Sequence, residues 1–393
     1  MQRGSDCATA TTAGRIRNGK MNRLDELEIR GFKSIREAEL RPGRVNVLIG
    51  PNGSGKSNLI AFFRFLSYVI SSPSGSLQRY VVENGGAGAL LYNGPKRTRE
   101  IEARLALQTE KGRNEYRFRL FHAAADTLVF ADEACRFLPT GKLDGKWTEL
   151  GSGQKEARLL DRESNVAKTT RSTIAGLLRG LVVYHFQDTS REARLKRRWA
   201  VSDNAHLKYD GANLAPFLLY LKYEFQQYYR RIVETVRQVA PFFDDFVLEP
   251  EHETVLLRWS ERGTDVVFSV DQASDGTLRA MALITALLQP PSKLPSLIIF
   301  DEPELGLHPY AMSIIAGLIE SVSTLRQVLI ATQSPNLLDE FKPINVVVAE
   351  RDDMGSHFVK LDSDRLQEWL EEYTLSELWD RNILGGRPKE VHS

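Results

Sequence analysis

The sequence predicts an α/β fold: a mixed central sheet joined to an antiparallel β lobe, with an inserted helical subdomain. Three observations predict it. An apolar run at 45–49 leads into a glycine-rich loop and then a helix-compatible stretch. A second, fully apolar run at 296–300 ends in Asp301-Glu302, far downstream. Between them the chain alternates apolar and polar residues with period two, then carries apolar residues at helical spacing.

Taken in order, residues 1–20 combine Gly, Ser, Thr and Arg with no apolar core and predict a disordered leader, with Met21 an alternative start. Residues 24–29 alternate as a strand, 31–35 turn, and 44–49 form the strand that enters the loop. A helix over 57–70 follows, and then period-two segments at 101–109, 115–122, 127–137 and 146–150 predict antiparallel strands. Residues 154–180 are polar and broadly helical, and 181–186 is an apolar strand that delivers Gln187-Asp188-Thr189-Ser190. Helical spacing returns over 213–239, and 254–259 with 265–270 predict a strand pair. A helix over 277–288 is broken by Pro290, Pro291 and Pro295 before the strand that ends in Asp301. A helix at 309–322 and strands at 327–331 and 344–348 complete the sheet. The resulting organisation is a leader (1–20), an N-terminal lobe with the phosphate loop and a β insertion (21–190), a helical subdomain (191–243), a C-terminal lobe (244–361) and a helical tail (362–393).

Composition narrows the function classes. With 42% hydrophobic and 26% charged residues the chain buries a sizeable core, and its net charge of +1 gives no bulk attraction to polyanions. Any nucleic-acid contact therefore needs a local patch. Two cysteines, Cys7 and Cys135, provide no disulfide framework and fit a reducing cytoplasm. No apolar run reaches the roughly 18–20 residues that span a bilayer, so no membrane partner is expected.

The loop itself is Gly50-Pro51-Asn52-Gly53-Ser54-Gly55-Lys56-Ser57, a G-x-x-x-x-G-K-S pattern between strand and helix. Its glycines let backbone N–H groups converge on phosphate oxygens, so Asn52, Gly53, Ser54 and Gly55 are nucleotide-binding candidates. Lys56 reaches β and γ phosphates, and Ser57 offers a hydroxyl to Mg²⁺. Downstream, Asp301 is the metal-holding candidate and Glu302 the group that polarises the attacking water. The alternative for this pair is capping of the next helix. The cofactors predicted are ATP and Mg²⁺.

The order of phosphate loop, inserted lobe, Ser274-Asp275-Gly276-Thr277 at a helix start, Asp301-Glu302, and Thr332-Gln333-Ser334-Pro335 resembles the ABC-type ATPase heads of the RecF and SMC kind, in particular the small stand-alone P-loop ATPases (AAA_21-like) without a long coiled coil. The resemblance covers about residues 24–348 and implies that Ser274 and Gly276 bind the γ-phosphate of a nucleotide held by a second copy, so that the chain forms a homodimer on ATP. It implies that 304–309 is the D-loop crossing that interface, that Gln187 is the Q-loop residue reaching both nucleotide and Mg²⁺, and that Gln333 stands at the switch position. His308 within 304–309 is equally readable as a core or helix-capping histidine, and Asp188 competes with Gln187. The signature departs from Ser-Gly-Gly-Gln, and Gln333 replaces a more usual histidine, so the switch cannot carry a proton.

The function implied is a DNA-related ATPase, in DNA repair or anti-phage defence beside a partner nuclease. Arg191, Arg194, Lys196, Arg197 and Arg198, next to Trp199, are candidate DNA contacts, with a solvated helix face as the plainer reading. Two other classes stay open: the nucleotide-binding subunit of a membrane transporter, and a non-hydrolysing scaffold held together by ATP.

Overall fold

The structure is a computed structural model and describes residues 22–71, 76–142, 144–161, 164–362, 364 and 366–385, with the side chain of 71 left aside. The expected leader and the last residues of the tail, 386–393, lie outside the described residues.

Short, predominantly apolar runs rich in Val, Ile and Leu settle where both faces of a strand are covered. Four such strands, Leu181–Tyr184, Leu297–Asp301, Gln327–Ala331 and Val45–Ile49, lie parallel in that order, and Val346–Asp352 continues the parallel run beside Val45–Ile49. Gly355–Lys360 closes the edge antiparallel to Val346–Asp352. Alternate residues of these strands enter two different cores: Ile298, Phe300, Val328 and Ile330 face one, while Leu297, Ile299, Leu329 and Ala331 face the other. The Asp301 strand and the phosphate-loop strand are not neighbours, because Gln327–Ala331 runs between them.

A second sheet is antiparallel and contains, in spatial order, Ile35–Leu40, Arg23–Phe32, Glu100–Thr109, Gly112–Ala123, Thr127–Pro139 and Thr148–Gly151. Its apolar face packs on the phosphate-loop helix, Lys56–Ser71, through Phe62, Phe65 and Phe118. The other face carries a ladder of opposite charges. Glu115, 1% exposed, receives Arg136, Arg104 and Arg113. Burial pushes its carboxyl up, but the three guanidinium groups together hold it below its ordinary value.

The helical stretch at 213–239 is two helices, Leu214–Glu224 and Gln226–Val239, interrupted at Phe225. They pack with the helix Asp275–Leu288, all but encased in the larger core. The expected strand pair at 254–270 is shorter than its pattern suggests: Arg258–Glu261 pairs with Val267–Ser269, while Thr254–Val255 pairs with Trp199–Ala200. Between 154 and 180 the one α-helix among the described residues is Lys168–Arg179. Among the described residues the tail holds two short helices, Gln367–Leu370 and Leu375–Asp380.

Candidate functional site

Parallel strands deliver their carboxyl ends to one edge of the sheet, and a ligand site forms there. Four of those ends converge here. Ile49 leads into Gly50, Tyr184 into the 185–190 loop, Asp301 into Glu302, and Ala331 into Thr332-Gln333. The strand ladder extends past the strands themselves: Glu302 N donates to Ala331 O at 2.8 Å and Thr332 N to Leu48 O at 3.0 Å. The spacing between these loops is therefore fixed by backbone.

The phosphate loop needs its glycines. Gly50 has φ 152° and approaches Ala349 O so closely that a Cβ would lie 2.3 Å from it. A Cβ on Gly55, φ 108°, would meet the Ser356 hydroxyl at 2.1 Å. Asn52, Gly53 and Ser57 are exposed at the loop's mouth, whereas Lys56 is 5% exposed and donates to Pro51 O at 3.1 Å and to Gly50 O. Burial lowers the Lys56 ammonium from its ordinary value, while Glu302, Asp301 and Glu304 oppose that shift. The hydroxyl of Ser54, 2% exposed, is buried without a hydrogen-bond partner among the described residues. A buried cation whose acceptors are carbonyls and an orphaned hydroxyl, in a glycine-rich loop at a helix start, make a cradle suited to a polyphosphate.

Facing the loop, Asp301 is held by Arg64 at 3.5 Å; burial raises its carboxyl and Arg64 pulls it down. Arg64 Nη2 lies 3.3 Å from His185 Nδ1, and burial, then Arg64, lowers that imidazole. Glu302 adopts φ 49°, a left-handed conformation that a non-glycine residue holds only when its surroundings impose it. Gln333 Nε2 donates to Glu302 Oε1 at 2.6 Å, and Gln187 Nε2 donates to Asp301 O at 3.3 Å and Glu302 Oε2 at 3.4 Å. Glu304 turns away from this cluster: its Oε1 accepts from Thr332 Oγ1 at 2.5 Å and Gln333 N at 3.2 Å, its Oε2 is buried without a partner among the described residues, and burial raises its carboxyl.

Gln187, Asp301, Glu302 and Gln333 are thus brought together. Asp301 and Glu302 do not cap the next helix, Pro309–Ser323, because His308 does so, accepting from Tyr310 N at 3.3 Å. Asp188 is exposed and occupied with Ser190 N at 3.1 Å and Ser190 Oγ at 2.7 Å. Ser274 caps the helix Asp275–Leu288, accepting from Thr277 N at 3.1 Å, and its hydrogen bonds among the described residues stay within that turn. Gly276 sits against Gly306, whose carbonyl oxygen would lie 2.1 Å from a Cβ at 276. Gly276 thus packs with the 304–309 segment.

Sequence reasoning missed Arg64, His185 and Arg279. Arg64 lies two helical turns beyond Lys56, a spacing that puts both on one face and could have flagged it. His185 and Arg279 carried no motif.

In the basic segment, Arg194 pairs with Asp210 at 2.6 Å, Arg197 with Glu192 at 3.0 Å and Arg198 with Glu251 at 2.7 Å. Arg191 is exposed and Lys196 half-buried. Elsewhere, Arg36, Lys96, Arg97 and Arg99 line a concavity of about 800 Å³ and form no ion pair among the described residues.

The family model described as "AAA domain, putative AbiEii toxin, Type IV TA system" (AAA_21) matches residues 45–339, which includes the loop, the Asp301 strand and the switch. The chain belongs to the AAA_21 family. An OLD nuclease of Thermus scotoductus is 24% identical over 359 residues, covering 84% of this chain and 63% of that protein. The RecF DNA replication and repair protein of Magnetococcus marinus is 47% identical over 62 residues, 14% of this chain and 16% of its own length. The AAA_21 chain therefore spans less than two thirds of these relatives. Among solved structures, an Smc head bound to the C-winged helix domain of ScpA superposes with TM-score 0.59 at 16% identity, over 88% of this chain and 99% of its own. The Pyrococcus furiosus Smc head with an extended coiled coil gives 0.58 at 15% identity, over 90% and 99%. The AAA_21 chain thus has the α/β P-loop NTPase fold of an SMC-type, ABC-like head. No helix among the described residues is long and apolar enough to cross a membrane.

Proposed function

We propose that this AAA_21 chain is a Mg²⁺-dependent ATPase head that dimerises on ATP and drives a cytoplasmic, DNA-related process, in DNA repair or anti-phage defence, beside a partner nuclease. The observation that carries the ATPase reading is the convergence of Glu302, Gln187 and Gln333 on the sheet edge that also carries Lys56.

In this reading the loop amides from Asn52 to Gly55 and the Lys56 ammonium hold the phosphates, which replace the carbonyls of Gly50 and Pro51 as Lys56's acceptors. Ser57, Asp301 and Gln187 would supply the oxygen donors for Mg²⁺, a set that suits a hard cation. The metal, when bound, neutralises charge on the phosphate oxygens. Glu302 orients water, and its carboxylate is aimed by two side-chain amides, one from each neighbouring loop. Ser274 and Gly276, at a helix start outside this cluster, serve the nucleotide of the second copy. The relative named a nuclease supports a nuclease partner, and the RecF match supports DNA.

The test is single-turnover hydrolysis with and without Mg²⁺, together with gel filtration in ATP. Lys56→Ala should lose nucleotide binding, and Glu302→Gln should retain it while accumulating an ATP-bound dimer. A Glu302→Gln protein that stays monomeric in ATP counts against the dimer. One observation favours a second reading, the non-hydrolysing scaffold: Gln333 cannot accept and pass on a proton. A wild-type chain that binds ATP without turnover would select it.

A further inference from the structure

The helix that begins at Ser274 and the loop that carries Gln187 belong to different segments, far apart in sequence, and one guanidinium joins them. Arg279 lies on the helix Asp275–Leu288, just over one turn past Ser274. Its Nη2 donates to Gln187 O at 2.8 Å and Thr189 Oγ1 at 3.4 Å, its Nε to Phe186 O at 3.3 Å, and its Nη1 to Leu305 O at 3.1 Å. Every acceptor is neutral, and among the described residues Arg279 forms no ion pair. Gly306, φ 74°, lies against both Gly276 and the Arg279 guanidinium, so helix start and 304–309 segment touch at backbone distance.

A planar fork with five donors can hold acceptors on two loops at once, which a single ammonium cannot match. Because it grips backbone carbonyls rather than side chains, it fixes the path of the loop, and the loop's path sets where the Gln187 amide points. That amide reaches Glu302 Oε2 at 3.4 Å and Asp301 O at 3.3 Å. A chain of hydrogen bonds therefore runs from Arg279, on the helix that Ser274 caps, to the backbone of the Gln187 loop, and from the Gln187 amide to Glu302.

We propose that Arg279 is a positioning residue which sets the Gln187 loop, and through it Glu302, according to the position of the helix that Ser274 begins. On the ATP-dimer reading above, on which this last step rests, a γ-phosphate of the second copy engaging Ser274 is thereby reported to the hydrolytic cluster of the same chain.

The experiment is a double-mutant cycle on steady-state hydrolysis with Arg279→Gln, Gln187→Ala and the pair, with Arg279→Lys as the charge-retaining control and melting temperature measured for each. Arg279→Gln should lower kcat about tenfold, the size of effect expected along such a network, with KM for ATP within about twofold. The pair should be no slower than Gln187→Ala alone, and Arg279→Lys should recover part of the loss. Multiplying effects in the pair, an unchanged kcat, or a loss that tracks melting temperature equally in the Gln and Lys variants would each overturn the proposal. The Hill coefficient for ATP should fall to one in Arg279→Gln. Gel filtration of Glu302→Gln reads the dimer separately: a monomer there removes the second copy and the cooperativity, while the cycle still decides whether Arg279 acts through Gln187.

Discussion

Gln333 holds Glu302 from the side of the switch strand: its Nε2 donates to Glu302 Oε1 at 2.6 Å, the shortest of the three amide contacts to the Asp301-Glu302 turn. This bond accompanies the left-handed φ of 49° at Glu302, so side chain and backbone are both constrained before any substrate arrives. A carboxylate that accepts from an amide keeps its remaining lone pairs for water. Removing the carboxylate should cost about 10²–10⁴-fold in hydrolysis, the usual contribution of a general base, with nucleotide binding retained. Gln333→Ala should cost less, about tenfold, because it loosens the base without deleting it. Rapid-quench measurement of both variants checks the order of the two effects.

Gly276 is the next test, because its surroundings leave no room. A methyl group there would meet Gly306 O at 2.1 Å, and the obstacle is backbone, which cannot rotate away. Gly276→Ala should therefore displace the 304–309 segment from the Ser274 helix. The expected outcome is nucleotide affinity close to wild type, since the phosphate loop is untouched, with loss of the proposed ATP-dependent dimer by light scattering. A Gly276→Ala protein that dimerises normally would separate this contact from assembly.

The sheet and the motifs on its edge were legible in the sequence because they rest on local patterns. A strand buried on both faces has to read as a continuous apolar run, and a phosphate loop has to spend glycines where φ is positive. What stayed hidden depends on pairing across the chain. Arg64 reads as an ordinary helix arginine until it is found beside Asp301, and Arg279 reads as surface charge until its carbonyl acceptors converge on it. The Arg191–Arg198 charge run reads as one basic patch, yet Asp210, 16 residues beyond Arg194, and the more distant Glu251 pair with Arg194 and Arg198. The break at Phe225 was equally invisible, since apolar residues keep helical spacing through it.

Glu304 makes a prediction about pH. Burial raises its carboxyl above the ordinary value, so the folded protein binds this proton more tightly than the unfolded chain does. A raised folded pKa contributes stability that is full below the unfolded value of about 4.3 and is lost as pH rises through the folded value. At neutral pH, well above the unfolded value, burying this carboxyl, one oxygen of which is unpartnered among the described residues, is therefore a cost to the nucleotide-free fold. Glu304→Gln keeps an acceptor for Thr332 and the Gln333 amide and removes the charge. It should raise the melting temperature of the nucleotide-free protein at pH 7–8 by a few degrees, and the difference from wild type should shrink as pH falls towards about 4. Calorimetry across that range checks it, and a difference that grows on acidification would contradict the assignment of the cost to ionisation.

The proposed contact with DNA can be located by charge bookkeeping. Counterion release requires cations free to meet phosphates, and each neutralised phosphate adds about 0.9 to the slope of log K against log salt. Three of the five cations between Arg191 and Arg198 already face carboxylates, so they offer less than their number suggests. Arg36, Lys96, Arg97 and Arg99 form no ion pair among the described residues and share a concavity with Tyr92, the partly exposed ring of Phe121 and three carboxylates, of which Glu100 and Glu102 face Arg119 and Arg30 and Asp353 is the third. That concavity adjoins the phosphate loop: Gly355 packs against Tyr92 and the backbone of Arg36, and the next residue, Ser356, packs against Gly55. Replacing Lys96, Arg97 and Arg99 together by alanine should weaken duplex binding and lower the salt slope by about two to three. The matching triple at Arg194, Arg197 and Arg198 should lower it by about one or less. Fluorescence anisotropy over a salt series distinguishes the two surfaces, and a larger slope change from the Arg194 set would show that its carboxylate partners yield to phosphate.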